Sequence, residues 1–178
     1  MKRLLTLTLF VFAALSVMAQ TINAGSYNIR MHSKVDYKNG DGWTERREIM
    51  CDLVAFTAFD IFGAQEVCHD QLEYMLSRLP EYDYIGVARD DGKTKGEYSP
   101  VFYRRDRFEL LDSGTFWLSD QPHKRGSKHL FSQFPRIVTF VHLKDNESGT
   151  DFSMYNTHLD HNFPPVRTKQ AGILHSII

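Results

Sequence analysis

The chain has 178 residues, of which 42% are hydrophobic, 24% charged and 13% aromatic, and its formal net charge is −1. This composition excludes a disordered or fibrous protein, and the length suits one folded domain. The mild acidity disfavours sequence-independent nucleic-acid binding, which needs a basic surface, but a few converging basic residues would still allow action on a phosphodiester.

The first 19 residues have the pattern of a secretory signal peptide. A basic start (1–3) precedes a largely apolar run (4–17), and small residues precede a cleavage point before Gln20. The apolar run is short for a membrane span, and an uncleaved anchor is the alternative. We therefore predict a signal peptide over 1–19, a folded domain over 20–178, a secreted or periplasmic location, and no stable membrane span after cleavage.

Strand and helix patterns follow one another along the rest of the chain. The predicted elements are strand 21–30, helix 43–56, strand 60–67, helix 70–79, strands 82–88, 98–104, 108–118, 136–143 and 152–158, and a helix from Pro165. A loop rich in Asp, Asn and Gly is predicted over 36–42, and Thr44 is expected to cap the first helix, with Ile49, Leu53 and Val54 on its buried face. This order predicts an α+β or layered α/β domain with a largely antiparallel sheet.

The two cysteines, Cys51 and Cys68, have no spacing typical of metal ligands. In an oxidising compartment they could form a disulfide, and the sequence leaves open whether they do.

Polar residues follow several of the buried strands. Asn28 ends the first strand, Glu66 follows the apolar run of the second, and His158 ends the strand at 152–158. Because such residues converge on one rim of a layered sheet, we expect a site there. A carboxylate and an amide suit Mg²⁺, a histidine can hydrogen-bond a phosphoryl oxygen or protonate a leaving group, and Arg30 and Arg136 could neutralise a phosphate.

The stretch HLDH (158–161) offers a different interpretation. It is similar to the end of the H-x-H-x-D-H motif of dinuclear zinc hydrolases, but that motif needs a histidine where this chain has Asn156. A dinuclear zinc hydrolase is therefore kept only as an alternative.

Six stretches, taken together and in order, resemble one known family. They are SYNIR (26–30), GWTERRE (42–48), DIFGAQEV (60–67), YSPVFYRRDRFELLDSGTFWLS (98–119), PRIVTF (135–140) and NTHLDH (156–161). The family is the endonuclease/exonuclease/phosphatase family of metal-dependent phosphoesterases, which includes pancreatic-type deoxyribonucleases and inositol polyphosphate phosphatases. The resemblance runs from about Thr21 to Ile178, and GAQEV with NTHLDH is its most specific part.

The resemblance implies roles for four residues. Glu66 is the expected metal carboxylate for Mg²⁺ or Mn²⁺, with Asn28 as its partner at the metal and the reacting phosphate. His158 matches the histidine that contacts the scissile phosphate and can act as an acid. Glu97 resembles the carboxylate that orients this histidine, and such a pairing would raise the pKa of His158.

The substrate side of the site is less specific. Arg30 and Arg136 match candidate phosphate contacts, and Asn156 and Asp160 are expected near the substrate phosphate. Nucleic acid, a lipid headgroup and a sugar phosphate all remain possible substrates.

The family's fold is a four-layer α/β/β/α sandwich of the deoxyribonuclease I type, whose second half carries Gly-Asp-x-Asn and Ser-Asp-His motifs. Only residues 162–178 follow NTHLDH, and neither motif occurs there. The expectation is therefore a partial sandwich, the N-terminal part of a family member, with impaired hydrolysis and one sheet's inner face uncovered. A non-catalytic fragment or binding module is the other alternative.

Overall fold

A computed structural model describes residues 21–178, so the predicted signal peptide lies outside the described residues. The strands are β1 (Ala24–Asn28), β2 (Ile61–Gln65), β3 (Tyr82–Ile85), β4 (Val101–Arg104), β5 (Phe108–Trp117), β6 (Ile137–Asp145) and β7 (Asp151–Thr157). The helices are α1 (Lys34–Asn39), α2 (Trp43–Thr57), α3 (His69–Arg78) and α4 (Pro164–Ile177). The predicted elements are confirmed in type and order, with shifted bounds at most ends and one additional helix, α1.

Four strands form the first sheet in the order β1-β2-β4-β3. β1 and β2 run parallel, with Asn28 opposite Gln65, so both strands end at the same edge of the sheet. The other neighbours pair antiparallel. β2 is buried along its whole length, as an apolar central strand should be.

The second sheet is an antiparallel meander of β5, β6 and β7. Its register shifts between Leu110 and Asp112, where β5 carries a bulge or irregularity. Together the two sheets confirm the prediction of mainly antiparallel pairing.

The two sheets pack face to face, and α2 and α3 cover the other face of the first sheet. Side chains buried between the sheets include Ile61, Val101, Tyr103, Val141 and Leu143. Those buried beneath the helices include Trp43, Val54, Phe62, Leu72, Met75 and Phe102. This layering confirms the predicted layered α+β architecture. It also corrects the expectation of an uncovered inner sheet face, because the inner faces of the described sheets cover each other.

Helix α1 occupies most of the stretch predicted as a loop. The Ser33 hydroxyl accepts a hydrogen bond from the Asp36 amide (3.1 Å) and so caps the helix N-terminus. Gly40 ends the helix with a φ of 78°, a left-handed conformation that glycine adopts without strain. The Asp, Asn and Gly content that predicted a turn thus belongs to the two ends of a short helix.

Helix α2 buries only Val54 of the three residues predicted for its buried face. It begins at Trp43 after Gly42, so Thr44 lies inside the first turn and does not cap it. Ile49 is 73% exposed and Leu53 47% exposed, whereas the buried stripe runs through Trp43, Met50, Cys51 and Val54. The aromatic residue at the helix start fixes this stripe, because a buried Trp contributes more apolar area than Ile or Leu.

Both cysteines are free thiols, so the disulfide is absent from this structure. Burial raises the pKa of each thiol to about 11. Within residues 21–178, no helix combines the length and the apolar character that a bilayer span requires.

Candidate active site

Asn28 and Glu66 meet at the edge where the two parallel strands end. The Asn28 side-chain amide donates to Glu66 Oε1 (2.9 Å), and the Met31 amide donates to Oε2 (3.1 Å). The Arg30 amide donates to Asn28 Oδ1 (2.9 Å). Asn28 therefore orients the Glu66 carboxylate, and the parallel pairing of β1 and β2 brings the two residues together.

The backbone at this edge adopts conformations that are uncommon for residues with a side chain. Arg30 has a φ of 60° and Glu66 a φ of 59°. Side chains from the helices stabilise the backbone after β1. The Arg46 guanidinium donates to the Ile29 and Arg30 carbonyls, and the Gln71 side-chain amide donates to the Arg30 carbonyl (3.1 Å). Positive φ at a non-glycine residue persists where surrounding contacts fix it, which is a frequent property of functional sites.

Glu66 is ionised at neutral pH. Burial by itself would raise the pKa of Glu66, but the hydrogen bonds from Asn28 and the Met31 amide and the nearby charge of Arg136 hold it below its usual range. Each carboxylate oxygen accepts only one hydrogen bond here, so lone pairs remain for a cation. A single carboxylate, completed by waters and substrate oxygens, is a donor set that fits Mg²⁺ or Mn²⁺.

The Glu66 carboxylate faces a cavity of about 430 Å³ that separates it from the second sheet. Charged and polar side chains line most of this cavity: Glu66, Arg89, Glu97, Arg136, His158 and His161. The cavity thus brings together Glu66, Glu97, Arg136 and His158, four of the residues predicted from sequence. Asn28 and Arg30 line an adjoining cavity of about 380 Å³, which also contains Glu66.

His158 lies at the end of β7, and its Nδ1 is buried without a hydrogen-bond partner. Burial, and then the nearby charge of Arg136, lower the pKa of His158, while Glu66 acts in the opposite direction. The imidazole is therefore neutral at neutral pH. In that form it can accept a proton through one nitrogen and donate a hydrogen bond through the other.

The predicted Glu97–His158 pair does not form. Glu97 instead accepts from Arg89 Nη1 (2.8 Å), and both side chains are almost buried. Burial raises the pKa of Glu97, against the effect of Arg89. The Glu97 carboxylate is paired with Arg89, so the expectation that it raises the pKa of His158 is wrong. The pKa of His158 is lowered instead.

The two arginines predicted to contact phosphate have different environments. Arg136 is 4% exposed, and its Nη2 contacts His161 Nδ1 (2.9 Å), which must accept because the guanidinium only donates. Burial and the charge of Arg89 lower the pKa of Arg136. Arg30 instead forms a two-point contact with Asp36 (3.1 and 2.5 Å). Arg136 is therefore placed to meet a substrate anion, whereas the Arg30 guanidinium is already engaged.

Asn156 and Asp160 are structural residues, contrary to the expectation that they lie against the substrate phosphate. Asn156 is 5% exposed, and its side chain bonds to the first sheet at three points. Asp160 is 1% exposed and accepts from the Ser132 hydroxyl (2.7 Å) and from the amides of Asn162 (2.9 Å) and Phe163 (3.0 Å). Neither side chain reaches the cavity surface.

The zinc alternative finds no ligand set in the described part of the chain. No group of three or more His, Cys, Asp or Glu side chains is arranged to hold a metal ion among residues 21–178. Within HLDH, Asp160 is turned into the interior and His161 is bound to Arg136, so the three candidate ligands do not converge. A catalytic zinc site would need three protein ligands around one point.

Sequence reasoning missed Arg89. It is the fourth residue after the end of β3 and directly follows the stretch predicted as strand 82–88, and it lines the cavity. The signal that singled out Asn28 and Glu66, a polar residue next to the end of an apolar strand, was present here as well. The following Asp90, Asp91 and Gly92 made the segment resemble an ordinary loop.

The fold of this chain is similar to that of several proteins of known structure. The chain is 41% identical to mannosyl-6-phosphatase Bt3783 of Bacteroides thetaiotaomicron, with a TM-score of 0.85 over 88% of this chain and 58% of that one. It is 40% identical to an endonuclease/exonuclease/phosphatase from Bacteroides vulgatus, with a TM-score of 0.82 over 86% of this chain and 58% of that one. A further endonuclease/exonuclease/phosphatase family protein, from Bacteroides thetaiotaomicron, is 41% identical with a TM-score of 0.84 over 88% of this chain and 57% of that one.

The present chain thus spans less than two thirds of the length of these three proteins. Among curated sequences, uncharacterized protein R895 of Acanthamoeba polyphaga mimivirus is 28% identical over 93 residues, which are 46% of this chain and 14% of the viral protein. No family model matches the sequence.

Proposed function

Because this chain belongs to the endonuclease/exonuclease/phosphatase family, we propose that it is a hydrolase of phosphate ester bonds that uses Mg²⁺ or Mn²⁺ at Glu66. The observation that carries the proposal is the Glu66 carboxylate, held ionised by Asn28 and Met31 and facing a cavity with His158 and Arg136 opposite. The cavity therefore contains a carboxylate that can bind a cation, and an arginine and a histidine that can bind an anion. A metal-bound phosphate requires both.

Each side chain has a distinct part in the proposed reaction. Glu66 holds the metal ion, which when bound polarises a phosphoryl oxygen and offsets the charge that develops during the attack of water. Asn28 keeps the carboxylate in its orientation. Arg136 contacts a non-bridging oxygen, and His158, neutral before the reaction, hydrogen-bonds the phosphoryl group and exchanges a proton with a reacting oxygen.

The substrate we propose is a phosphate ester whose leaving group lies outside the cavity. One of the relatives at 41% identity is a mannosyl-6-phosphatase, which supports a phosphomonoester, including a sugar phosphate, ahead of nucleic acid or a lipid headgroup. The net charge of −1 also disfavours long polyanions. We propose a secreted or periplasmic location from the basic and apolar pattern of residues 1–19.

The metal part of the proposal is tested by thermal unfolding. A ligand that binds only the folded state stabilises it by about 2.7 kcal/mol at one hundred times its Kd. We expect Mg²⁺ or Mn²⁺ to raise the Tm of the wild-type chain and to leave the Tm of Glu66→Gln unchanged. Glu109→Gln, an exposed carboxylate on β5, is the matched control and should respond as the wild type does.

The hydrolytic part is tested with p-nitrophenyl phosphate and bis-p-nitrophenyl phosphate in the presence of Mg²⁺. Glu66→Gln should lower any metal-dependent rate by about 100-fold or more, comparable to the loss of a major electrostatic contact in other enzymes. Hydrolysis that persists undiminished in Glu66→Gln, together with a wild-type Tm indifferent to both metals, would remove Glu66 from the proposed role.

A further inference from the structure

Two arginines line the cavity, and each has a donor that makes no hydrogen bond within residues 21–178. Arg89 is 7% exposed and Arg136 is 4% exposed, and the Nε of each is buried without a hydrogen-bond partner. Leaving a buried donor unpaired is unfavourable, so native structures do so rarely. The contrast is Arg107, also nearly buried, which contacts the carboxylates of Asp60 and Asp145.

The Arg89 guanidinium is held in one orientation before any ligand arrives. Its backbone is fixed on both sides, since its amide donates to the Glu97 carbonyl (3.0 Å) and its carbonyl accepts from Trp117 Nε1 (2.6 Å). Its side chain is paired through Nη1 with Glu97 and lies 4.8 Å from the centroid of the Phe134 ring. A planar guanidinium fixed in this way loses little conformational freedom when it binds an anion.

The charges around the two arginines are unbalanced. Arg89 contacts the Glu97 carboxylate through its Nη1 (2.8 Å), and its Nε lies 4.0 Å from Asp90 Oδ1. Arg136 contacts His161 through its Nη2 and has no carboxylate within 4.0 Å among the described residues. The two guanidiniums repel each other across the cavity, which is one reason why the pKa of Arg136 is lowered. An anion between them would relieve this repulsion and supply the missing acceptors.

We propose that Arg89, together with Arg136, binds the free oxygens of a terminal phosphate and makes this site selective for phosphomonoesters over phosphodiesters. This inference rests on the proposed function in one respect, that the cavity takes phosphate esters. A phosphomonoester carries a charge of about −1.5 to −2 at neutral pH and three terminal oxygens. A diester carries less charge and offers two free oxygens instead of three, with a second ester substituent in place of the third, so it offers the two guanidiniums fewer acceptors.

The test measures binding, so it does not depend on turnover. Inorganic phosphate and dimethyl phosphate are titrated into the chain by isothermal calorimetry at fixed ionic strength, with and without Mg²⁺. The wild type should bind phosphate more tightly than dimethyl phosphate. Arg89→Gln should weaken phosphate binding by about 10- to 100-fold, the range expected for a charge-assisted hydrogen bond, and should change dimethyl phosphate binding by much less.

Three further variants separate recognition from folding. Arg89→Lys keeps a charge beside Glu97 but loses the planar fork, and it should lose most of the discrimination. Arg89→Gln with Glu97→Gln removes both charges of this buried pair, so it should stay folded by circular dichroism and still bind phosphate poorly. Arg78→Gln, an arginine on α3 that does not line the cavity and whose side chain is 41% exposed, should behave as the wild type.

Three results would overturn the inference. They are a wild type that does not prefer phosphate to dimethyl phosphate, an Arg89→Lys variant with the wild-type preference, and a folded double variant with the wild-type affinity for phosphate. Arg89-dependent phosphate binding in a chain without metal-dependent hydrolysis would support this inference while removing the proposed function. Metal-dependent hydrolysis without any Arg89-dependent preference for phosphate over dimethyl phosphate would support the proposed function and overturn this inference.

Discussion

Replacing Asn156 tests whether this residue joins the two sheets or serves the substrate. Its Nδ2 donates to the Ala64 carbonyl (2.7 Å) and to the Pro100 carbonyl (2.8 Å), and its Oδ1 accepts from Gln65 Nε2 (2.7 Å). Asn156 lies on β7, while its three partners lie in or beside β2 and β4 of the other sheet. The side chain fits closely, since a Cβ added at Gly63 would come within 2.5 Å of Asn156 Cγ.

The magnitude follows from these three contacts. Each buried hydrogen bond contributes about 1 kcal/mol net, and a buried group left without a partner costs about 1–3 kcal/mol. Two of the partners retain other bonds, because the Pro100 carbonyl also accepts from the Ala64 amide (3.0 Å) and Gln65 Nε2 also donates to the Ser26 hydroxyl (3.1 Å). We therefore expect Asn156→Ala to lower the free energy of unfolding by roughly 2–4 kcal/mol.

Asn156→Asp is a more specific variant, because it keeps the size of the side chain and removes its hydrogen-bond donor. At neutral pH a carboxylate would then face the Ala64 and Pro100 carbonyls, so this variant should be less stable than Asn156→Ala. Part of its stability should return at acidic pH, where the carboxyl is protonated and can donate. Each variant is unfolded in urea, where a loss of this size lowers the midpoint by about 1–3 M for a typical m-value.

Asn162→Ala is the matched control, since Asn162 is exposed and its side chain makes only one long contact with Gln133 (3.5 Å). It should change the stability by less than about 0.5 kcal/mol. If Asn156→Ala were equally mild, or if Asn156→Asp matched Asn156→Ala at pH 7, the bonding between the sheets would not be what Asn156 contributes.

Two further predictions concern groups outside the cavity. The Arg107 guanidinium beside Asp145 holds the pKa of the Asp145 carboxyl below its usual range. The ionised Asp145 therefore stabilises the fold fully above pH 3.8, the ordinary pKa, and this stabilisation is lost as the pH falls through the lower pKa of the folded state. Asp145→Asn should therefore lower the urea midpoint at pH 7, and below about pH 4 its midpoint should decrease less with falling pH than that of the wild type. An equally steep decrease in the variant would contradict this. Because burial raises the pKa of Cys51 and Cys68 to about 11, both thiols should react with iodoacetamide at pH 8 far more slowly in the folded chain than in urea, and equal rates would show that neither is protected.

Much of the candidate site could be predicted from local patterns. Apolar runs of strand length end at Asn28 and Glu66, and polar residues at such strand ends tend to converge on one rim, so the meeting of these two side chains was expected from sequence. The parallel pairing of β1 and β2 that produces it was not predicted. The order and type of the elements also followed, because hydrophobic periodicity reports burial along each segment separately. The full buried face of α2 could not be predicted from sequence. The apolar residues that turn inward are selected by the segments packed against the helix.

The choice of partner among polar side chains depends on how distant segments pack. Glu97 could pair with a histidine or an arginine, and the loop after β3 places Arg89 beside it, 2.8 Å away, leaving His158 neutral. Asn156 bonds to Gln65 across 91 residues of sequence because the two sheets exclude water between them. Local patterns in the sequence are enough to show which residues lie at strand ends. Their roles depend on desolvation and on contacts between distant segments, which arise only when the sheets pack together.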